Sequence, residues 1–314
     1  MLKKSKGIHH ITAIVGDPQE NVDFYAGILG LRLIKKTVNF DDPETYHLYF
    51  GDDIGRPGTA MTFFNWLDGH QGKIGDGQVG ITAFIVPKGS FSFWKERLEK
   101  FNIKYSLEDK FGQSHISFHD PHGLHLELVE SEAGNNVRWS FGGVTPEVAI
   151  KGFFGVTLYS SDTERTIYLL ENIMGLTKIE KDKETIRFST SGEIGNIIDV
   201  CITSQGTGDI GIGTVHHIAI QVEDDQEQLE WKKHIAEFGY DVTPVRERNY
   251  FRSIYFREKG NILFEIATNG PGFMIDEAYD EMGEKLMLPQ WYESKRSNLE
   301  KTLPPIKVRE IEVN

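Results

Sequence analysis

One local pattern, a strand, a short helix and three further strands, recurs four times along this 314-residue chain, and it limits the fold more than any other feature. In the first copy, residues 7–66, Gly7-Ile8-His9-His10-Ile11-Thr12-Ala13-Ile14-Val15 reads as a strand. Asp17 then supplies a helix N-cap and Pro18 the first helical position. Val22, Phe24, Tyr25, Ile28 and Leu29 form the apolar face, and Gly30 ends the helix. Leu33–Phe40, Tyr46–Phe50 and Ala60–Trp66 read as strands separated by Asp42-Pro43 and Gly51-Asp52-Asp53. The same order returns in residues 79–130, 152–203 and 214–268, with helices over Ser90–Phe101, Thr163–Met174 and Asp225–Phe238. A strand over Val242–Arg246 and a tail helix over Gln290–Leu299 are also predicted. A module of this size buries little apolar surface alone. The expected fold is therefore α+β, with four βαβββ modules paired into two domains of curved mixed sheet with helices outside. Along the chain the expected units are residues 1–133, a Gly-containing link at 134–150, residues 151–270, and a tail at 271–314 that packs across the body.

Charge and cysteine content remove several function classes. Lys and Arg number 34 against 47 Asp and Glu, a net charge of −13, which opposes binding to nucleic-acid phosphates or to an anionic membrane. No apolar run approaches the ~20 residues needed to span a bilayer, and the start, MLKKSKGIHH, lacks the apolar core of a secretory signal. The lone cysteine, Cys201, lies in the apolar run Ile197-Ile198-Asp199-Val200-Cys201-Ile202 and reads as a buried structural thiol. The expected compartment is the cytoplasm, and the oligomeric state is left open.

The repeat allows equivalent positions to be compared within the chain. The first-strand position of His10 is held by Ile81, Gly155 and His217 in the later modules. The last-strand position of Glu265 falls on Glu127, on Val200, and roughly on Phe63. Only His10, His217 and Glu265 assemble two imidazoles and a carboxylate on like strand positions. Two His and one carboxylate suit a non-haem iron(II) with open positions, and strands are stiff supports for it. Meeting would require the first module to lie beside the fourth. A His-His pair opens both outer modules, and Glu265 lies within Ile262-Leu263-Phe264-Glu265-Ile266, where an unpaired carboxylate is costly. The competing reading is that these are hydrogen-bonded strand-end histidines and a solvated glutamate. Strand alternation selects the second His of each pair; His9 and His216 are the fallback. The ligand-rich segment Asp120-Pro121-His122-Gly123-Leu124-His125-Leu126-Glu127 reads as a turn and a strand without a second imidazole, not a metal centre. Tyr255 and Arg248 are candidates for proton relay and for holding an anionic oxygen. His47, Trp66, Phe251 and Phe273 are candidate pocket walls, and Phe273 and Met274 a candidate roof.

With these residues in view, the chain resembles the vicinal oxygen chelate superfamily over almost its whole length. Within it, the chain is similar to the ring-cleaving dioxygenases of hydroquinones, including the methylhydroquinone-resistance type. The resemblance is carried by Gly7-Ile8-His9-His10-Ile11-Thr12, Tyr46-His47-Leu48-Tyr49-Phe50, Pro57-Gly58-Thr59, Val215-His216-His217-Ile218-Ala219, Phe264-Glu265-Ile266-Ala267 and Glu284-Lys285-Leu286-Met287-Leu288-Pro289. It implies iron(II), exchangeable for another divalent ion, held by His10, His217 and Glu265. It also implies supporting roles for His9, Arg248 and Tyr255, the role of His9 resting on the resemblance alone. The partners implied are a small aromatic substrate and O2, and the biological role is detoxification of aromatics or quinones. Familiar extradiol enzymes of this superfamily take their first His from the third module, where this chain has Gly155. The alternatives are a glyoxalase-type lyase or isomerase, which needs a fourth ligand that Phe63 cannot supply, and a non-catalytic quinone- or metal-binding protein.

Overall fold

The structure is a computed structural model and describes residues 3–312; residues 1 and 2 of the expected first unit and 313 and 314 of the expected tail lie outside the described residues. The first module comprises β1 (Ile8–Val15), α1 (Pro18–Val22) continued by a π-helical turn over Asp23–Ile28, β2 (Arg32–Asn39), β3 (Asp42–Gly51) and β4 (Ala60–Asn65). The second runs β5 (Gln78–Val86), α2 (Phe91–Lys100), β6 (Tyr105–Lys110), β7 (Gln113–His119) and β8 (His125–Glu130). The third runs β9 (Gly152–Tyr159), α3 (Thr163–Tyr168), β10 (Thr177–Lys181), β11 (Thr185–Ser189) and β12 (Ile197–Cys201). The fourth runs β13 (Thr214–Val222), α4 (Asp225–Glu237), β14 (Arg246–Glu247), β15 (Arg252–Arg257) and β16 (Leu263–Thr268).

Local sequence explains most boundaries. Asp17 caps α1, its Oδ1 accepting from the N–H of Gln19 at 2.7 Å and of Glu20 at 2.9 Å. Gly30 ends that stretch in the left-handed region at φ 72°. The strand expected at Val242–Arg246 shrinks to Arg246–Glu247, because Pro244 has no N–H for a ladder. The tail helix expected over Gln290–Leu299 is a 3-10 turn over Gln290–Lys295 followed by α5 (Arg296–Thr302). No helix among the described residues is long and apolar enough to cross a membrane.

The strands form two eight-stranded mixed sheets. One has the order β14-β15-β16-β13-β1-β4-β3-β2 and so joins the first module to the fourth. The other, β10-β11-β12-β9-β5-β8-β7-β6, joins the second to the third. The sheets therefore do not follow the expected units 1–133 and 151–270: each of those stretches contributes one module to each sheet. In both sheets the seam is an antiparallel pair of first strands, β1 with β13 and β5 with β9. Most buried Ile, Val, Leu and Phe side chains form one large core, and a separate smaller cluster gathers Ile34, Tyr49, Tyr250, Phe251 and Phe273.

Each seam carries two bulges. In β1–β13 the register skips His9 and His216, and in β5–β9 it skips Gly80 and Phe154. An unpaired extra residue re-aims its side chain and breaks the two-residue alternation. At the seam's centre Thr12 faces His217 in one sheet and Ala83 faces Gly155 in the other. A Cβ on Gly155 would lie 2.1 Å from the carbonyl oxygen of Ile197, a backbone atom on the next strand. Gly155→Ala is therefore expected to destabilise the protein by about 1–3 kcal/mol through overpacking, read as a lowered thermal midpoint. An unchanged midpoint would mean the strands separate freely there.

The tail is fastened by buried polar contacts to the sheet that joins the first and fourth modules. Lys35, on β2 and fully buried, donates to Asp276 Oδ1 at 2.6 Å and to Glu277 Oε2. Tyr250 donates to Asp276 Oδ2 at 3.0 Å. Phe273 is buried against Tyr49, Tyr250 and Phe251, whereas Met274 is exposed.

Candidate metal centre

The β1–β13 seam brings together side chains 207 residues apart in sequence. His10 Nε2 and His217 Nε2 are 3.4 Å apart. Glu265 Oε2, from β16 beside β13, lies 2.9 Å from His217 Nε2 and 3.4 Å from His10 Nε2. Among the described residues these three make the one group of His, Cys or acidic side chains spaced to hold a single ion. All three are buried.

The donor chemistry fits a divalent cation. Glu265 Oε1 accepts from Ser253 Oγ, but Oε2 has no hydrogen bond of acceptable geometry, an orphaned oxygen in the protein interior. His10 Nδ1 lies 2.8 Å from His9 Nδ1, and His217 Nδ1 lies 2.8 Å from His216 Nδ1. If Nδ1 of each inner ring carries the proton, Nε2 presents a lone pair toward Glu265, the tautomer a metal ligand needs. Three donors bound at right angles at ~2.1 Å would lie ~3 Å apart, close to the spacing here.

Burial pushes the Glu265 carboxyl upward, but the facing imidazoles of His10 and His217 outweigh it and hold it well below the usual range. Burial pushes His217 down, with Glu265 opposing. The outer rings follow the same physics: burial, with the adjacent imidazole adding to it, takes His9 and His216 down to about 3. An unfolded histidine titrates near 6.5, so below that pH the unfolded chain takes up protons that the folded chain refuses. Stability from these rings is full above pH 6.5 and is lost as pH falls toward 3. Chelator-treated protein is expected to show a thermal midpoint that falls steadily through this window. A flat midpoint would mean that these rings titrate normally.

The three donors open onto a cavity of about 180 Å3. His47, Tyr49, Phe64, Trp66 and Phe251 form its walls, and Arg248 and Tyr255 its polar corner. Tyr255 stands directly across from Glu265 in the β15–β16 ladder, and Arg248 Nε donates to its hydroxyl at 3.2 Å. Arg248 Nη2 also donates to Asp41 Oδ2 at 2.9 Å, joining the β2–β3 turn to the fourth module across the mouth. Burial pushes the Arg248 guanidinium down, but Tyr255 and Asp41 more than offset it, so it stays charged. Burial, aided by Glu265, raises the Tyr255 phenol and keeps it neutral.

Several sequence expectations need correcting here. His9 does not line the cavity; it sits behind His10 because of the bulge. Phe273 lies one layer back, behind Tyr49 and Phe251. The counterparts of Glu265 also shift by one residue. Glu265 pairs with Ala219, and the matching positions are Thr62 opposite Thr12, Glu127 opposite Ala83, and Asp199 opposite Thr157. Thr62 and Asp199 thus replace Phe63 and Val200. Thr62 keeps its hydroxyl engaged with His47 Nε2 at 3.0 Å and Thr12 Oγ1 at 2.7 Å, so that strand position sets a hydroxyl already in use, and no second carboxylate, beside the three donors. In the second sheet both carboxylates are neutralised internally. Glu127 pairs with Lys110 and, at 2.7 Å, with His115; Asp199 is held by both ends of the Arg187 fork, at 2.8 and 2.7 Å. Asp120 closes the predicted turn, accepting from the N–H of His122 at 2.9 Å and of Leu124 at 2.8 Å. Asp41, Tyr49 and Phe64 are pocket residues that sequence reasoning passed over, and His216, named there only as a fallback ligand, also lines the cavity. The alternation Tyr46-His47-Leu48-Tyr49 was a signal available for Tyr49, since it shares a strand face with His47; nothing local marked Asp41.

Comparison with known proteins agrees with this architecture. The family model of the Glyoxalase/Bleomycin resistance protein/Dioxygenase superfamily matches residues 7–128. MhqO of Bacillus subtilis (strain 168), named for ring-cleaving dioxygenase activity, is 59% identical over 312 residues, 99% of this chain and 100% of that one. The chlorohydroquinone/hydroquinone 1,2-dioxygenase of Sphingobium indicum is 33% identical over 311 residues, 96% of this chain and 97% of its own length. A crystal structure described as a dioxygenase from Bacillus subtilis subsp. subtilis str. 168 superposes with a TM-score of 0.97 at 60% identity, covering 98% of this chain and 100% of that one. Glyoxalase I from Zea mays, at 17% identity and a TM-score of 0.63 over 85% of this chain and 93% of its own, shares the fold. The chain belongs to the Glyoxalase/Bleomycin resistance protein/Dioxygenase superfamily, among its ring-cleaving dioxygenases.

Proposed function

We propose that this protein is an iron(II)-dependent, extradiol-type dioxygenase that opens the ring of hydroquinone or a substituted hydroquinone, and so removes reactive aromatics or quinones from the cytoplasm. The observation that carries the reading is the orphaned Glu265 Oε2, buried beside two imidazole Nε2 atoms and facing the cavity. The relatives named for ring cleavage and for hydroquinone point to the substrate class. The cavity volume of about 180 Å3 supports a single ring, since a cavity of ~150 Å3 accepts benzene. A single buried thiol, Cys201, suits a reducing compartment.

His10, His217 and Glu265 would hold the ion. When bound, iron(II) would supply open positions for a phenolate and for O2, and would pass electrons between them. Two neutral rings and one carboxylate leave a divalent ion with net positive charge, which favours an anionic phenolate over a neutral phenol. Arg248 would fix the anionic oxygen, and the neutral Tyr255 phenol beside it would give or take a proton at its hydroxyl. His9 and His216 would orient the inner rings through Nδ1 and so set how firmly the ion is held.

The test is anaerobic reconstitution of the full chain with iron(II), followed by oxygen uptake with a panel of hydroquinones and product analysis. Substrate-dependent uptake with a ring-opened product is expected. Iron bound stoichiometrically with no uptake across the panel would overturn the proposal, and oxygen-independent turnover with zinc or nickel would favour the lyase or isomerase reading.

A further inference from the structure

The approximate two-fold relation of β1 to β13 places a second tyrosine opposite Tyr255. Tyr255 faces Glu265 across β15–β16, and Tyr49 faces Thr62 across β3–β4. Since Thr62 is the counterpart of Glu265, Tyr49 is the counterpart of Tyr255. Both line the cavity.

The two walls differ in charge. Tyr255 stands with the Arg248 guanidinium and the Glu265 carboxylate. Tyr49 stands in an uncharged chain: its hydroxyl is 2.9 Å from His47 Nδ1, His47 Nε2 is 3.0 Å from Thr62 Oγ1, and Thr62 Oγ1 is 2.7 Å from Thr12 Oγ1. The His47 ring is further fixed between Tyr49 at 4.1 Å and Phe64 at 4.5 Å, centroid to centroid. The chain can run in either sense. In one, Tyr49 donates to His47 and its oxygen keeps a free acceptor position. In the other, His47 Nδ1–H donates to Tyr49, whose own O–H is left to donate. Either way Tyr49 offers one hydrogen-bonding position that a hydroxyl can fill and a methyl group cannot.

We propose that Tyr49, oriented by His47, receives the second, uncharged hydroxyl of a diphenol whose first oxygen occupies the Arg248–Tyr255 side, and that this contact makes the site select diphenols over monophenols. The proposal rests on the ring-cleavage reading above and adds to it the residue that sets the substrate class. A buried polar group left without its partner rejects the ligand that lacks it. His47 acts as a positioning residue, since it reaches the ligand only through Tyr49.

The experiment is anaerobic calorimetric titration of the full chain, reconstituted with iron(II), with hydroquinone and with 4-methylphenol, a near-isostere that lacks one hydroxyl. Wild-type protein should bind hydroquinone about tenfold or more tightly than 4-methylphenol. In Tyr49→Phe the ratio should collapse to within about twofold, while Tyr255→Phe should keep it. His47→Leu should lower the ratio and His47→Asn, which retains an acceptor near Nδ1, should restore part of it; a general loss of packing would weaken both ligands together. A wild-type ratio in Tyr49→Phe, with ring cleavage intact, overturns the role of Tyr49 alone. Wild-type protein that binds neither phenol overturns this proposal together with the ring-cleavage reading.

Discussion

Glu265→Gln is expected to abolish metal retention and to lower ring cleavage on the order of 1,000-fold. Metal-centred charge stabilisation is worth several kcal/mol, and each ~1.4 kcal/mol is a factor of ten. The amide keeps the shape of the side chain and its contact with Ser253 but removes the negative charge that balances a divalent ion between two neutral rings. Metal analysis after dialysis, read beside oxygen uptake, checks this. Ser253→Ala is a graded companion, because it removes the hydroxyl that holds Oε1 and should weaken metal binding by about 10–100-fold. Full metal occupancy and near-normal turnover in Glu265→Gln would remove the proposed ligand set.

Lys35→Met is expected to have the largest effect on stability, about 3–5 kcal/mol. The substitution leaves the buried Glu277 carboxylate without its cation and frees Asp276, which also anchors Tyr250. The segment around Phe273 would then lose its fastening and withdraw from the back of Tyr49 and Phe251. A fall in the denaturant midpoint, with new protease cleavage near residues 276–284, is the signature to look for. Adding Glu277→Met should recover part of the loss, because the unpaired charge is most of the cost. An unchanged midpoint in Lys35→Met would mean that the tail is held by its apolar contacts alone.

The repeat was legible in the sequence because each module carries the same local signals: a cap, a helix-ending Gly or Asn, and three strands split by turn residues. Sheet partnership was less legible. Neighbouring modules look like natural partners along the chain, and only the sharing of ligands between the outer modules implied that the first must meet the fourth. Alternation located His10 and His217 but failed at His9 and His216, because a bulge is invisible to a two-residue period. The same blindness to register shifted Thr62 to Phe63 and Asp199 to Val200. The second-sheet carboxylates show why composition misleads: Glu127 and Asp199 are present at ligand positions, yet Lys110, His115 and Arg187 satisfy them. Asp41 lies in an ordinary turn and gains importance only through Arg248, 207 residues away.

Along the chain one sheet is nested within the other, the inner built by the second and third modules and the outer by the first and fourth, and this order has a consequence for synthesis. A ribosome moving along the message completes the inner sheet once residue 201 has cleared the exit tunnel, since all its strands lie between residues 78 and 201. The outer sheet must wait, with β1 made first and its neighbour β13 beginning only at Thr214. Until then β1 presents an open hydrogen-bonding edge, the kind of surface that recruits stray strands and that chaperones shield. Nascent chains halted before residue 214 should therefore aggregate more readily than chains released whole.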